Sequence, residues 1–275
     1  MRFAFFGGGD FSVKVLEILE QKGFVPELII TTPDKPKGRK LILQPTPLKN
    51  WAQKNNIPVV TNYELPITNY DLFIIAAYGK IIPKEILDIP KYGTLNVHPS
   101  LLPKYRGPSP IQSFILSEEK ETGVTIMLTD EQVDHGPIIT SSKLQAPSSK
   151  LFYKELEEKL AELGGNLLVE TIPKFINGEI KPQEQNHSRA TFTKKITKED
   201  GLIDWKEPED LIERKIRAFT PWPSVYYFEN DKRIIITKAE LSEGKLKILR
   251  IKPEGKNEMD YNSYFVTKGT KAKPG

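Results

Sequence analysis

The sequence contains no cysteine. That absence excludes disulfides, thiolate nucleophiles and cysteine-bound metals, and it suits a reducing compartment. Histidine is almost as scarce, with His98, His135 and His187 the only three. A zinc site would need carboxylates, and no His-Glu-x-x-His spacing is present, so no metal is expected. No apolar run approaches the roughly 18 residues of a membrane-spanning helix. The amino terminus runs from Met1 through Phe6 into glycines without the cleavage region of a signal peptide. A cytoplasmic protein with no membrane partner is expected. Neither sign of charge dominates. The net charge is +4, and from Ala190 onward 18 Lys/Arg face 14 Asp/Glu, so the whole excess lies in the carboxyl-terminal part. A basic end suits a polyanionic partner, and an excess this small equally fits an ordinary solvated surface.

What is present is a chain of 275 residues with 28% charged residues, enough for one large domain or two smaller ones. Arg2 to Phe6 reads as a buried strand, followed by Gly7-Gly8-Gly9-Asp10. Val13, Leu16 and Leu19 then fall at helical spacing, with Asp10 or Ser12 as cap and Gly23 as stop. Strand, glycine turn and helix invite a dinucleotide fold. The match fails because Ser12 stands where the third glycine of Gly-x-Gly-x-x-Gly belongs, and Asp34 precedes Pro36 and basic residues rather than a ribose-binding context. Leu28 to Thr32, Val59-Val60, Asp71 to Ala77 and Gly123 to Thr129 read as further strands, the third of the doubly covered parallel kind. Thr46-Pro47 opens a helix with Leu48, Trp51 and Ala52 inside. Leu156, Leu160, Leu163 and Leu167 form a helical stripe, with Ser148 or Ser149 as its cap. The pattern predicts a doubly wound, mostly parallel α/β sheet.

Two stretches carry chemistry. Thr94 to Val97 is a short β-prone run, and side chains alternate between faces along a strand. Asn96 and His98 therefore point the same way. Pro99 ends the strand, which puts the pair at a carboxyl end, the edge where open α/β sheets bind ligands. An amide beside an imidazole suits chemistry that stabilises an oxyanion and moves a proton. The same spacing fits two polar residues that merely close a strand. The second stretch holds Lys35, Lys37, Arg39 and Lys40, interrupted by Pro36 and Gly38. Such a composition builds no core and predicts a mobile exposed loop, either simply solvated or functional.

The longer string Asn96-Val-His98-Pro-Ser100-Leu-Leu-Pro103-Lys-Tyr-Arg-Gly107 resembles the signature of the 10-formyltetrahydrofolate-dependent formyltransferases. Pro108-Ser-Pro-Ile-Gln112 resembles the methionyl-tRNA branch specifically. The resemblance covers nearly the whole chain. It implies that Asn96, His98 and Asp134 are catalytic, the last in Asp130-Glu-Gln-Val-Asp-His-Gly-Pro137. Asn96 would donate to an oxyanion, His98 would stabilise it and handle protons, and Asp134 would hold His98. Lys80, Ile81 and Ile82 match positions that contact the pterin, and Ser100, Leu101, Leu102 and Pro103 match the folate groove. The glycine turn after the first strand resembles a loop lining the pocket. Lys35, Lys37, Arg39 and Lys40 resemble a basic insertion set against the tRNA acceptor stem, with Arg39 matching the arginine of that motif. His135 and His187 receive no role, the latter as plain surface.

By the same resemblance residues 1–180 form the catalytic domain, 181–199 a linker where the apolar pattern lapses, and 200–275 a tRNA-binding domain. The last contains Asp200-Gly-Leu-Ile-Asp-Trp205 and Ile216-Arg-Ala-Phe-Thr-Pro-Trp-Pro223, both similar to the family's carboxyl-terminal domain. β-prone runs at Val225–Phe228, Ile234–Thr237 and Leu246–Ile251 suit a small antiparallel barrel. A hairpin-sized segment that relatives carry between Lys238 and Leu246 is missing, so a shortened barrel is expected. The implied function is transfer of formyl from 10-formyltetrahydrofolate to the α-amino group of methionyl initiator tRNA, by a metal-free monomer. Three rivals are a nucleotide amino-sugar N-formyltransferase, a formyltetrahydrofolate hydrolase and a catalytically idle tRNA-binding protein. The basic loop argues against the first two, and the segment Pro108–Pro110 also against the first. The set Asn96, His98 and Asp134 argues against the third.

Overall fold

Five buried residues, Phe3–Gly7, form the first strand (β1) of the central sheet. In chain order there follow α1 (Asp10–Gln21), β2 (Leu28–Ile30), β3 (Lys35–Lys37), β4 (Ile42–Gln44), α2 (Pro47–Lys54), β5 (Val59–Val60) and β6 (Leu72–Ala76). Then come α3 (Lys84–Leu87), β7 (Thr94–His98), α4 (Pro110–Leu116), β8 (Glu121–Leu128), β9 (Ile138–Gln145) and α5 (Tyr153–Ile176). The chain ends through α6 (Glu209–Phe219), β10 (Val225–Glu229), β11 (Lys232–Ser242), β12 (Lys245–Pro253), β13 (Met259–Asp260) and α7 (Tyr261–Val266). The computed structural model describes residues 1–37, 41–63, 69–145 and 151–266. Arg39, Lys40, Ser148 and Ser149 lie outside the described residues, and Lys37 is described by its backbone alone.

The central sheet has seven strands in the order β5-β2-β1-β6-β7-β8-β9. The first five run parallel, β8 runs antiparallel to β7, and β9 runs antiparallel to β8. The expected doubly wound, mostly parallel sheet is therefore present. Strand order reverses between β1 and β6, and their carboxyl ends carry the glycine turn and the segment 77–82. Such a switch point is where open α/β sheets accept ligands.

Cross-strand partners share a face. Ala4, Phe6, Leu28, Ile30, Phe73 and Ile75 thus form one apolar cluster with Tyr78, Ile82 and Leu87. The alternate residues Phe3, Phe5, Ile29, Leu72 and Ile74 are fully buried on the opposite face. Burial on both faces is why these strands read as unbroken apolar runs.

Two local devices position the elements. Thr46 caps α2, its hydroxyl accepting from the Lys49 N–H at 3.0 Å. At α1 neither Asp10 nor Ser12 is the cap: Gly9 takes that position, with no side-chain hydrogen bond. Ser12 instead staples the glycine turn to β6. Its hydroxyl accepts from the Gly8 N–H at 2.8 Å and donates to the Ala76 carbonyl at 2.6 Å. A β-carbon on Gly7 would lie 2.6 Å from that hydroxyl oxygen, so the turn requires the glycine and the serine together.

The stripe expected on α5 is rotated. Leu156 and Leu160 are fully buried, but the buried line continues through Ala161, Gly164, Gly165 and Leu168, leaving Leu163 and Leu167 half-buried. The glycines decide this. A β-carbon at Gly164 would lie 2.6 Å from Val97 Cγ1, and one at Gly165 would lie 2.9 Å from Ile18. The helix backbone therefore rests directly on β7 and α1. Gly164→Val sets a second branched side chain against Val97 and is expected to cost about 1–3 kcal/mol of stability by overpacking. Thermal denaturation checks this, and an unchanged Tm would refute the close approach.

By internal contacts the chain divides into two units. One contains Met1–Pro110, Glu121–Gln145 and Glu157–Thr193. The other contains Ile111–Lys120, residues 151–156 and the chain from Lys194 onward. The break between the units falls inside the segment expected as a linker, 181–199, and several residues of that segment are hydrogen-bonded. Gln183 exchanges backbone hydrogen bonds with Ile138, and Thr191 and Thr193 with residues 103–106. Beyond them Asp200 accepts from the Thr197 N–H.

In the second unit the strands pair in the order β10-β11-β12-β13 as an open antiparallel sheet. Among the described residues β13 has no pairing with β10, so the barrel-like domain is not closed. The turns Asn230-Asp231 and Glu243-Gly244 all have positive φ, the geometry of tight hairpins. The second of these joins β11 directly to β12 across the region expected to be shortened. Ile212, Ile216 and Phe219 of α6 are buried, as are Ile234, Ile236, Leu246 and Ile251 on the strands.

Candidate active site

Val97 meets α5 at Gly164, so alternation turns Asn96 and His98 to the other face of β7. Register confirms the side: Asn96 lies beside Ile75, which lies beside Phe6 of the apolar cluster. His98 is 4% exposed. Its Nε2 lies 3.0 Å from the Tyr105 carbonyl. A carbonyl only accepts, so Nε2–H is the donor there and Nδ1 is the nitrogen left to gain or lose a proton.

Asp134 comes from a different direction. β8 runs antiparallel to β7, so the loop after β8 starts at the amino end of β7 and must fold back across the sheet face. A β-carbon on Gly136 would lie 2.1 Å from the Leu128 carbonyl oxygen, which shows how tightly this loop returns. Asp134 has φ +48°, in the left-handed region that costs a non-glycine residue about 1–2 kcal/mol. Its Oδ1 accepts from Asn96 Nδ2 at 3.2 Å and lies 3.5 Å from His98 Nδ1. Its Oδ2 accepts from the Gly107 N–H at 2.7 Å. The structure thus brings together Asn96, His98 and Asp134. The other N–H of Asn96 has no partner among the described residues and is available to a substrate oxygen.

Arg106, in the motif, and Gln185, in the supposed linker, form a buried second layer that the sequence did not reveal. Arg106 Nε and Nη2 donate to Gln185 Oε1 at 3.2 and 2.7 Å. Arg106 Nη2 also donates to His187 Nδ1 at 2.8 Å. His187 stacks on His135 with 4.2 Å between ring centres, and His135 Nδ1 donates to Asp130 at 2.7 Å. His187 is exposed, yet it is a partner of the arginine rather than plain surface. Burial holds the Arg106 guanidinium below its ordinary pKa, with Asp134 and Asp130 acting in the opposite sense. No periodicity marks Gln185 or His187. For Arg106 the available signal was its place beside Gly107.

The remaining candidates are more dispersed. Lys80 is exposed and Ile81 is 82% exposed, whereas Ile82 turns into the apolar cluster. Ser100 is buried, and its hydroxyl donates to the Lys104 carbonyl at 2.6 Å, closing the turn. Leu101 and Pro103 are half-buried and Leu102 is buried. Lys35 lies on an antiparallel ribbon rather than a formless loop: Pro36 pairs with Leu43 and Lys37 with Ile42. The ribbon's base is held by the Asp34–Lys49 ion pair at 2.7 Å. Among the described residues no helix is long and apolar enough to cross a membrane, and no group of three or more His, Asp or Glu is arranged to hold a metal.

Comparison with known proteins identifies what this arrangement belongs to. A formyl transferase family model matches residues 1–172, and a model of the formyl transferase C-terminal domain matches residues 195–245. The methionyl-tRNA formyltransferase of Chloroflexus aurantiacus is 42% identical over 251 residues, covering 88% of this chain and 81% of that one. This chain belongs to the methionyl-tRNA formyltransferase family. The resemblance read from residues 96–112 is borne out, and with it a formyl-transferring enzyme.

The fold extends across the wider formyltransferase group. The methionyl-tRNA formyltransferase of Clostridium thermocellum superposes with a TM-score of 0.63 at 17% identity, covering 94% of this chain and 99% of that one. The N-formyltransferase of Helicobacter canadensis, solved with folinic acid and dTDP-3-aminofucose, gives 0.64 at 23% identity, covering 90% and 94%. Fold alone therefore does not separate a tRNA acceptor from a sugar. A folate-derived formyl donor is common to the family.

Proposed function

We propose that this protein transfers the formyl group of 10-formyltetrahydrofolate to the α-amino group of methionine on initiator tRNA, as a cytoplasmic monomer. The observation that carries the reading is the approach of Asp134 Oδ1 to Asn96 Nδ2 (3.2 Å) and His98 Nδ1 (3.5 Å) in a chain with these relatives. In the reaction the amine nitrogen bonds to the formyl carbon, the bond from that carbon to N10 breaks, one amine proton leaves and N10 gains one. Asn96 donates its free N–H to the formyl oxygen as negative charge develops there. A preorganised donor of this kind contributes about a hundredfold or more in rate. His98 Nδ1 handles the proton while Tyr105 holds the ring through Nε2. Asp134 orients both partners and stabilises the charge that His98 acquires.

The donor reading extends to Lys80, Ile81, Ile82 and Ser100–Pro103 at the carboxyl edge of the sheet. The exposed Ile81 offers an apolar wall, while Ile82 and Ser100 act by shaping the turns that carry their neighbours. Lys35, Lys37, Arg39 and Lys40 contact acceptor-stem phosphates, which position the tRNA without reading its sequence. Residues 1–180 supply the chemistry, and the basic unit 200–275 adds tRNA contact through exposed Trp205, Trp222 and Phe228 among its lysines and arginines.

The test offers methionyl initiator tRNA and nucleotide amino-sugars in parallel as acceptors with 10-formyltetrahydrofolate. Product on the tRNA alone is expected, and the double variant Lys35→Glu/Arg39→Glu should raise KM for tRNA with little change in kcat. Product on sugars, or formate released with neither acceptor modified, would overturn the assignment of the acceptor.

A further inference from the structure

We infer that Gln185 is a positioning residue for formyl transfer and acts through Asp134, an inference that rests on the proposed role of Asp134 in the reaction. Gln185 is 5% exposed, and its amide spends every strong bonding direction on two neighbouring loops. Nε2 donates to the backbone carbonyls of Asp134 at 3.0 Å and Gly136 at 2.7 Å. Oε1 accepts from Arg106 Nε and Nη2 at 3.2 and 2.7 Å.

The consequence lies in what those loops carry. Asp134 sits in left-handed backbone, which persists only where its surroundings hold it. Gln185 provides that hold at the carbonyls of residues 134 and 136. Arg106 is flanked by Tyr105, whose carbonyl accepts from His98 Nε2, and by Gly107, whose N–H donates to Asp134 Oδ2. One amide thus ties the main chain beneath the carboxylate to the loop that grips both that carboxylate and the imidazole. Both Gln185 and Arg106 are buried, so an unmade bond there is not replaced by water at no cost.

No other side chain satisfies this set. Glutamate keeps the acceptor for Arg106 but has no N–H for the two carbonyls, and leucine removes both functions. Reach matters too, because the amide must span from residue 106 to residues 134–136.

The experiment measures kcat, KM for both substrates and Tm for Gln185→Glu, Gln185→Leu, Asp134→Asn and the double variant Gln185→Glu/Asp134→Asn. A carboxylate displaced by about 1 Å costs up to roughly a hundredfold in rate. The expected result is a kcat about tenfold to a hundredfold lower in Gln185→Glu, with both KM values within about twofold of wild type. The same substitution should add little to the loss already present in Asp134→Asn, because residues acting as a unit are not additive. Gln185→Glu keeps an acceptor for Arg106 and carries the test if the leucine variant does not fold. Wild-type kcat in Asp134→Asn would overturn the role of Asp134. An impaired Asp134→Asn beside a wild-type Gln185→Glu would overturn the role of Gln185 alone. A lowered Tm with unchanged kcat per folded enzyme, or losses that multiply in the double variant, would reduce Gln185 to a structural residue.

Discussion

His98→Ala is expected to lower kcat for formyl transfer by about a hundredfold to ten-thousandfold, the range for removing a positioned acid–base group. The imidazole is 4% exposed, with Nε2 committed to the Tyr105 carbonyl and Nδ1 turned to Asp134. Alanine removes the proton-handling nitrogen and also the hydrogen bond to the Tyr105 carbonyl, a loss of about 0.5–1.5 kcal/mol of stability. Tm should therefore fall together with rate. Binding of methionyl initiator tRNA should persist, because the phosphate contacts proposed for Lys35, Lys37, Arg39 and Lys40 do not involve the imidazole. Single-turnover formylation and equilibrium tRNA binding, measured at a temperature where the variant is folded, separate the two effects. A rate within about twofold of wild type would remove His98 from the chemistry.

The second large effect comes from a residue with no side chain. Gly136→Ala places a β-carbon 2.1 Å from the Leu128 carbonyl oxygen and 3.2 Å from its carbon, both main-chain atoms at the end of β8. Main chain does not swing aside as a flexible side chain would, so the loop 130–137 must open. That loop is closed by the Leu128 N–H donating to the Pro137 carbonyl at 2.9 Å, and it presents Asp134 two residues before the substitution. The Gln185 bond to the Gly136 carbonyl moves with it. Overpacking of this kind costs about 1–3 kcal/mol, and displacing Asp134 costs up to roughly a hundredfold in kcat. Both changes should appear together in denaturation and steady-state assays, with KM for tRNA little altered. Normal kcat beside a lowered Tm would mean that the loop adapts without moving the carboxylate.

These effects depend on contacts with very different visibility in the sequence. Local chemistry was legible. Thr46-Pro47 begins a helix because a hydroxyl and a pre-set φ serve a helix start whatever surrounds them, and Asn96 and His98 share a face because strands alternate. The unbroken apolar runs at β1 and β6 marked strands covered on both faces. Asp134 entered through resemblance to a family motif, not through any pattern of its own. Ile82, grouped beforehand with a binding loop, belongs to the core, since a short apolar run does not state which of its members turns inward.

By itself the sequence determined the doubly wound class, the amide–imidazole pair at a strand end, the absence of thiol chemistry and the formyltransferase family. These follow from composition, from period-two alternation and from one long contiguous motif, all properties of residues near one another in the chain. The tertiary structure alone decided that β8 runs antiparallel to β7 and that the loop after it sends Asp134 back across β7. It alone decided that Gly164 turns α5 onto Val97, and that Gln185 reaches Arg106 from a segment with the composition of a linker. Those outcomes are settled by steric closeness and by satisfying buried polar groups across the sequence separation of 79 from Arg106 to Gln185, where no local period operates.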